Sequence, residues 1–340
     1  MKQKNFCLAL AAAVLLLPAC TEKETPKIPG KTHIGVFIPG VMSGSPIYEM
    51  LAQGVRQGAA DFSSPEDVEV TVVEGGYNQA EWEAKITAMA ASGSYDLIVS
   101  SNPSMPAIAA SVSQGFPSQR FLLLNGELAG HPRIFTLAYN QWEQAYMAGH
   151  IAALVTLEAA PGGARRVGLV AGQEYPDMTG VIAPGYLAGA QAADADFSLV
   201  FRVVGNWFDA GKGAELAHEM IGQGVSVILC VAGGANEGVV QAASEAGAKV
   251  VWFDINGYGV RPGTVVGSAV LAQEKAAREQ TRRFLEGTLP FGSAEILGAA
   301  QGYVDFVEDD PRYHAAVSED VREKQALLTA RFRAGTGPEK

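Results

Sequence analysis

The chain is poor in cysteine: there are three in 340 residues. Two of them, Cys7 and Cys20, fall within the first twenty positions, and only Cys230, in the apolar run VSVILCVA, lies in the body of the sequence. A disulfide scaffold is therefore excluded, and Cys230 is expected to be a buried, inert thiol. Positive charge is also short. Lys and Arg total 25 against 36 Asp and Glu, a formal net charge of −11 with no basic stripe, which excludes nucleic acid as a partner. The five histidines, His33, His131, His150, His218 and His314, fall in no metal-ligand spacing, and His218-Glu219-Met220-Ile221-Gly222 lacks the second histidine of a zinc-protease helix. No G-x-S-x-G elbow occurs, and no histidine follows a strand end where it could serve a nucleophile. Neither a metal, a resident cofactor nor an enzymatic activity is expected. Long apolar runs are missing too. The longest, CLALAAAVLLLPA, is too short for the roughly twenty residues that span a membrane.

That run has a different use. Lys2 and Lys4 precede it and Leu17-Pro18-Ala19-Cys20 ends it, the layout of a signal peptide over 1–19. The last four residues resemble the bacterial lipobox, which implies cleavage before Cys20 and lipid on its sulfur. Residues 20–31 are polar with two prolines and read as a tether to a membrane. The remainder, in a chain that is 48% hydrophobic and 18% charged, has the composition of a packed core.

From His33 onward, short apolar runs alternate with longer amphipathic stretches. HIGVFIPG, VEVTVVEG, YDLIVSSN, RFLLLNG and IFTLAYN read as strands, with helices between the first four and a long helix, EQAYMAGHIAALVTLEA, after the last. The second half repeats the scheme with RRVGLVAG, SLVFRVVG, VSVILCVAG, KVVWFD and TVVGSAV as strands. Helices are expected at 182–193, 211–223, 236–247 and 272–286. Alternation of this kind predicts an α/β fold of parallel sheets wrapped by helices, and near-continuous apolar strands fit sheets covered on both faces. There are too many strands for one compact unit. The reading is two doubly wound parallel-sheet lobes, one of 32–138 plus 267–297 and the other of 139–266 plus 298–335. The strand at 265–270 is expected to return to the first lobe, with hinge crossings near 138–142, 267–271 and 295–300.

Ligands of such sheets sit outside the carboxyl ends of the strands. Those ends carry Asn102, Asn125, Trp207, Gly233, Gly234, Asp254 and Asn256, with Asn236 just after the two glycines. Two readings compete at RVVGNWFDAGKGAE (202–215). A phosphate loop would need G-x-x-x-x-G-K-[ST], yet Lys212 is followed by Gly213 and bulky aromatics stand where backbone should wrap phosphate. The alternative is that Trp207 offers its indole to a ligand. Asp254, ending an apolar run, can accept two hydrogen bonds from a vicinal diol.

The signal, the lipobox, the two alternating lobes, VILCVAGGANEGVVQAASEAG and VVWFDIN together resemble the basic membrane protein family of bacterial lipoproteins. The resemblance covers nearly all of 33–330. It implies the type I periplasmic binding protein fold with a three-strand hinge, and a solute receptor that hands its ligand to the permease and ATPase of an ABC importer. Members studied as binders take purine nucleosides. Trp207 then falls where those binders have a base-stacking phenylalanine, Asp254 on the aspartate that holds ribose hydroxyls, and Asn125 where an aspartate reads the base edge. Ile47 replaces a second stacking phenylalanine, Tyr48 an asparagine, and Leu271 a lysine. These departures point away from a nucleoside. An asparagine offers both a donor and an acceptor, which suits an imide edge, and tryptophan is a wider platform than phenylalanine. A wide flat ring, an imide edge and a polyol together describe riboflavin, and within the family the resemblance is to its spirochaetal riboflavin-binding branch. The expected ligand contacts are Trp207, Asp254, Asn125, Tyr48, Ile47, Asn102, Asn236 and Asn256. A purine nucleoside is the alternative ligand, and a flavin-dependent enzyme a more distant one.

Overall fold

The computed structural model describes residues 30–62 and 67–340; the expected signal peptide, Cys20 and nearly all of the tether lie outside these residues. The first strands and helices alternate as β1 (Thr32–Ile38), α1 (Pro46–Phe62), β2 (Val68–Glu74), α2 (Trp82–Ala91), β3 (Leu97–Ser101), α3 (Met105–Gly115), β4 (Phe121–Leu124) and β5 (Ile134–Tyr139). The second series runs α4 (Gln141–Ala159), β6 (Arg166–Ala171), α5 (Ala183–Ala193), β7 (Ser198–Val203), α6 (Ala210–Gly222), β8 (Val227–Val231), α7 (Asn236–Glu245), β9 (Lys249–Asp254) and β10 (Val265–Leu271). The chain closes with α8 (Gln273–Leu285), β11 (Ala294–Leu297), β12 (Val304–Phe306), α9 (Pro311–Ala316) and α10 (Glu319–Arg333).

Two six-stranded sheets result, in the orders β11-β5-β4-β3-β1-β2 and β12-β10-β9-β8-β6-β7. Every pairing is parallel except β10 with β12. The central strands β3, β4 and β8 are buried along their whole length, as strands with helices on both faces must be. The apolar α4, buried from Gln144 to Gly149 and from Ile151 to Thr156, is the central helix of the second lobe.

One expectation is corrected. The strand at 265–270 does not return to the first lobe: β10 pairs with β9, Val265 opposite Val250 and Val270 opposite Asp254, and with β12. The return is made by α8, which lies along α1. Gly54 and Gly58 allow that approach, since a Cβ on them would fall 2.3 Å from Glu274 O and 2.5 Å from Arg278 O. The change of lobe therefore follows Leu271 rather than falling at 266/267. VVGSAVL is apolar on both faces and suits a central position in either sheet, so its composition could not say which. The short strands β11 and β12 and the helices α9 and α10 were also not foreseen; α10 is heavily charged and buries only Val321, Gln325, Leu328, Thr329 and Phe332.

The chain passes between the sheets three times, over 139–141, 271–273 and 297–299. The crossings are bonded to one another. Tyr139 Oη donates to Gln273 Oε1 (2.6 Å), the Asn140 N–H to Leu297 O (2.9 Å), and the Ala299 N–H to Glu143 Oε2 (2.7 Å). Among the described residues no helix is long and apolar enough to cross a membrane.

Candidate functional site

The loop after β7 is built by its own short polar side chains. Asn206 Oδ1 accepts from the N–H groups of Phe208 (3.0 Å) and Asp209 (2.8 Å), and Asp209 Oδ1 caps α6 by accepting from the Lys212 N–H (2.9 Å). Gly211-Lys212-Gly213 is thus the first turn of a helix, and Lys212 pairs with Glu215 at 2.7 Å. The turn sets Trp207 against Gly172, where a Cβ would stand 2.4 Å from the indole Cε3. Gly234 N–H donates to Trp207 O (2.8 Å), and Gly233, at φ +59°, leaves room for that carbonyl. The two glycines after β8 seat the tryptophan loop rather than a phosphate. Indole Nε1 donates to Gln173 Oε1 (3.1 Å), and Tyr175 lies 6.2 Å away, ring centre to ring centre, tilted by 46°. Phe208 turns the other way. It is 59% exposed and meets Tyr77 of the first lobe, 67% exposed, at 5.7 Å between ring centres.

Among the described residues two other than glycine have positive φ, Asn125 at 58° and Asp254 at 73°. One follows β4 and the other ends β9, so each sheet contributes one at the carboxyl end of a central strand. Asn and Asp tolerate this left-handed region better than other side chains, and residues held there cluster at ligand sites. The Asp254 carboxyl belongs to a half-buried residue. Burial raises it from 3.8 to about 6, opposed by one hydrogen bond from Gln144 Nε2 (3.1 Å). Among the described residues no lysine or arginine supports it, and Leu271, where the resemblance implied a lysine, is itself buried.

The first lobe meets this carboxyl with Tyr48. Its hydroxyl donates to Pro39 O (3.1 Å) and bonds the Asn102 side chain; burial, opposed by Asn102 and aided by the Asp254 charge, pushes the phenol up to about 12. Burial raises Tyr139 and Tyr175 as well, followed by Tyr303 and then Asp254 for Tyr139 and by Asp254 for Tyr175. Tyr48 from one lobe and Tyr175 from the other thus both lie within the electrostatic reach of Asp254, and Tyr175 lies against Trp207. Asn125 bonds Leu137 O through its N–H (2.8 Å), while its side chain enters no hydrogen bond among the described residues. Ile47 sits half-buried in the first turn of α1, packed on the core.

Two of the expected contacts have their amides engaged within the protein. Asn236 is buried and spends Oδ1 on the Ala232 N–H (2.8 Å), and exposed Asn256 uses both ends of its amide, on Asp310 Oδ2 (3.0 Å) and the Tyr258 N–H (3.1 Å). A place after a strand does not fix where a short amide points, and nearby loop N–H groups captured both. Conversely Gln144, Gln173, Tyr175 and Gln273 escaped notice. Gln144 left no distinct signal, since it stands beside Gln141 and Glu143 just ahead of the apolar stretch AYMAGHIAALV. Two depressions, of about 290 and 330 Å³, are lined largely by charged side chains of α1 and α8 or of the β12 edge, and none of the expected ligand contacts lines either.

Comparison with known proteins agrees with this fold. The family profile for "ABC transporter substrate-binding protein PnrA-like" matches residues 31–334. Basic membrane protein D of Borreliella burgdorferi (strain JD1) is 24% identical over 290 residues, covering 84% of this chain and 81% of its own. The ABC transporter nucleoside-binding protein BmpA of Lactococcus lactis subsp. cremoris (strain MG1363) is 25% identical over 167 residues, 49% of this chain and 43% of the relative. Among solved structures, an ABC transporter solute-binding protein of Aeropyrum pernix K1 superposes with a TM-score of 0.77 at 22% identity, covering 91% of this chain and 94% of that one. The two lobes thus have the type I periplasmic binding protein fold.

Proposed function

The chain belongs to the PnrA-like family of ABC transporter substrate-binding proteins, and we propose that it is the lipid-anchored receptor of an importer whose solute is riboflavin. Lipid on Cys20 would hold it at the outer side of a bacterial membrane, and the closed form would deliver its ligand to the permease and ATPase. The observation that carries the reading is the seat of Trp207: a half-buried indole, oriented by Gln173 and backed by Gly172, against Tyr175, which lies within the electrostatic reach of Asp254. The indole stacks the isoalloxazine ring, with a gain of about 1 kcal/mol beyond buried area. Asn125 presents a donor and an acceptor to the imide edge. Asp254 accepts from ribityl hydroxyls, and Ile47, Tyr48 and Asn102 close the first-lobe side.

A purine nucleoside is the second reading, favoured by the nucleoside-binding name of the Lactococcus relative. Both ligands need a ring platform and a hydroxyl acceptor; they differ at the edge read by Asn125. The protein should be purified and its visible spectrum recorded, then titrated with riboflavin and with inosine. Riboflavin binding, with flavin fluorescence quenched by Trp207, supports the proposal. A colourless protein that binds inosine and not riboflavin would replace it with the second reading.

A further inference from the structure

Gln144 is fully buried in the second turn's approach of α4, directly after the first crossing. Its Nε2 donates to Asp254 Oδ1 (3.1 Å) and to Ala269 O (3.0 Å). A carbonyl and a carboxylate only accept, so the amide is fixed with its nitrogen toward them. Its Oε1 is left buried without a partner. An amide's oxygen and nitrogen are about 2.3 Å apart given standard bond lengths, so this free acceptor stands beside the Asp254 carboxyl. Gln273, also fully buried, opens α8 just after the second crossing. Its Oε1 accepts from Tyr139 Oη (2.6 Å), and its Nε2 is buried without a partner. Gln273 comes three residues after Val270, which pairs with Asp254 in the sheet, and it is bonded to Tyr139 at the end of β5, so both glutamines lie at the hinge-side end of the cleft.

Unpartnered buried amide atoms are costly and uncommon, and each asks for a complement. Here one unpartnered acceptor and one unpartnered donor lie at the end of the cleft that carries the Asp254 carboxylate, which has no lysine or arginine partner among the described residues. The complement is a neutral hydroxyl, which donates and accepts at once. We propose that Gln144 and Gln273 are specificity-determining residues that, with Asp254, form a floor reading the hydroxyl groups of the ligand. Gln144 has a double role: it positions the Asp254 carboxyl and offers a second acceptor beside it. The inference rests on the ring-plus-polyol reading above but not on which ring is bound.

The test compares ligands that share a ring and differ in hydroxyls. Wild type, Gln144→Met and Gln273→Met are each titrated with riboflavin and lumiflavin, and with inosine and hypoxanthine. Each variant should weaken binding of the hydroxyl-bearing member about 3- to 10-fold, the size of one hydrogen bond, and leave the bare ring within about twofold. Retained ring binding also shows that the variant is folded. Equal losses for both members of a pair, or no loss for either, in both variants would overturn the inference by reducing the glutamines to structural roles. If wild type binds inosine but no flavin, the flavin reading fails and the nucleoside pair alone decides the inference. If wild type prefers the hydroxyl-bearing member of neither pair, both fail.

Discussion

At the scale of single residues, Asp254 and Gly172 carry the most specific expectations. The Asp254 carboxyl lies at about 6 in the folded chain against 3.8 in its ordinary state, because burial disfavours its charge. A group raised on folding stabilises the fold fully below its unfolded value, and that contribution is lost as pH rises through the folded value. The ligand-free protein should therefore lose stability from this group between about pH 4 and pH 6. Hydroxyl donors favour the ionised form, so ligand affinity should instead fall as pH drops below about 6. Thermal melts and titrations from pH 4.5 to 8 on wild type and Asp254→Asn measure both; a variant with the same pH profile as wild type would assign the titration elsewhere. Gly172→Ala puts a methyl group 2.4 Å from the indole Cε3. It should displace Trp207, shift its emission and weaken ring binding about tenfold or more, at a stability cost of about 1–3 kcal/mol. Unchanged emission and affinity would show that the indole is not held there. Trp207 and Asp254 were legible in the sequence as an aromatic and a carboxylate after apolar runs. Gln173 and Gln144, which orient them, were not, because their partners are 34 and 110 residues away.

Among the elements, the pairing of α1 with α8 brings the chain after β10 back to the first lobe. It depends on two glycines one turn apart whose nearest neighbours are α8 backbone oxygens. Gly54→Ala should destabilise the first lobe by about 1–3 kcal/mol in urea unfolding, since a methyl group 2.3 Å from Glu274 O forces the helices apart. A variant as stable as wild type would mean that α8 can shift along α1 freely. The strands and helices up to 286 were readable from their periods of two and 3.6. The three- and four-residue strands β12 and β11 were too short to show a period, and β10 was assigned to the wrong sheet because both sheets accept an apolar strand.

Across the whole molecule, the two lobes touch at the rim through Tyr77 and Phe208, and Gln79 Nε2 reaches Gln173 Oε1 at 3.5 Å. Gln173 also holds Trp207, so the rim contact and the ring platform share an acceptor. Both rim aromatics are mostly exposed, so truncating them should cost little fold stability. A Tyr77→Ser, Phe208→Ser double variant should keep its melting temperature within about 3 °C while releasing ligand several-fold faster in stopped flow. An unchanged release rate would remove the rim pair from closure.

The sequence by itself determined the alternating strands and helices, the two lobes, the family resemblance and the residue types at the strand ends. Those are properties of local period and of side-chain chemistry, which neighbours in the chain suffice to set. The tertiary structure decided the sheet that β10 joins, the left-handed backbone at Asn125 and Asp254, and the loop duties of Asn236 and Asn256. It also decided the buried glutamines at the hinge-side end of the cleft. Each of these depends on which distant backbone or amide lies within hydrogen-bonding reach, and the chain acquires that distance only when its two sheets are packed.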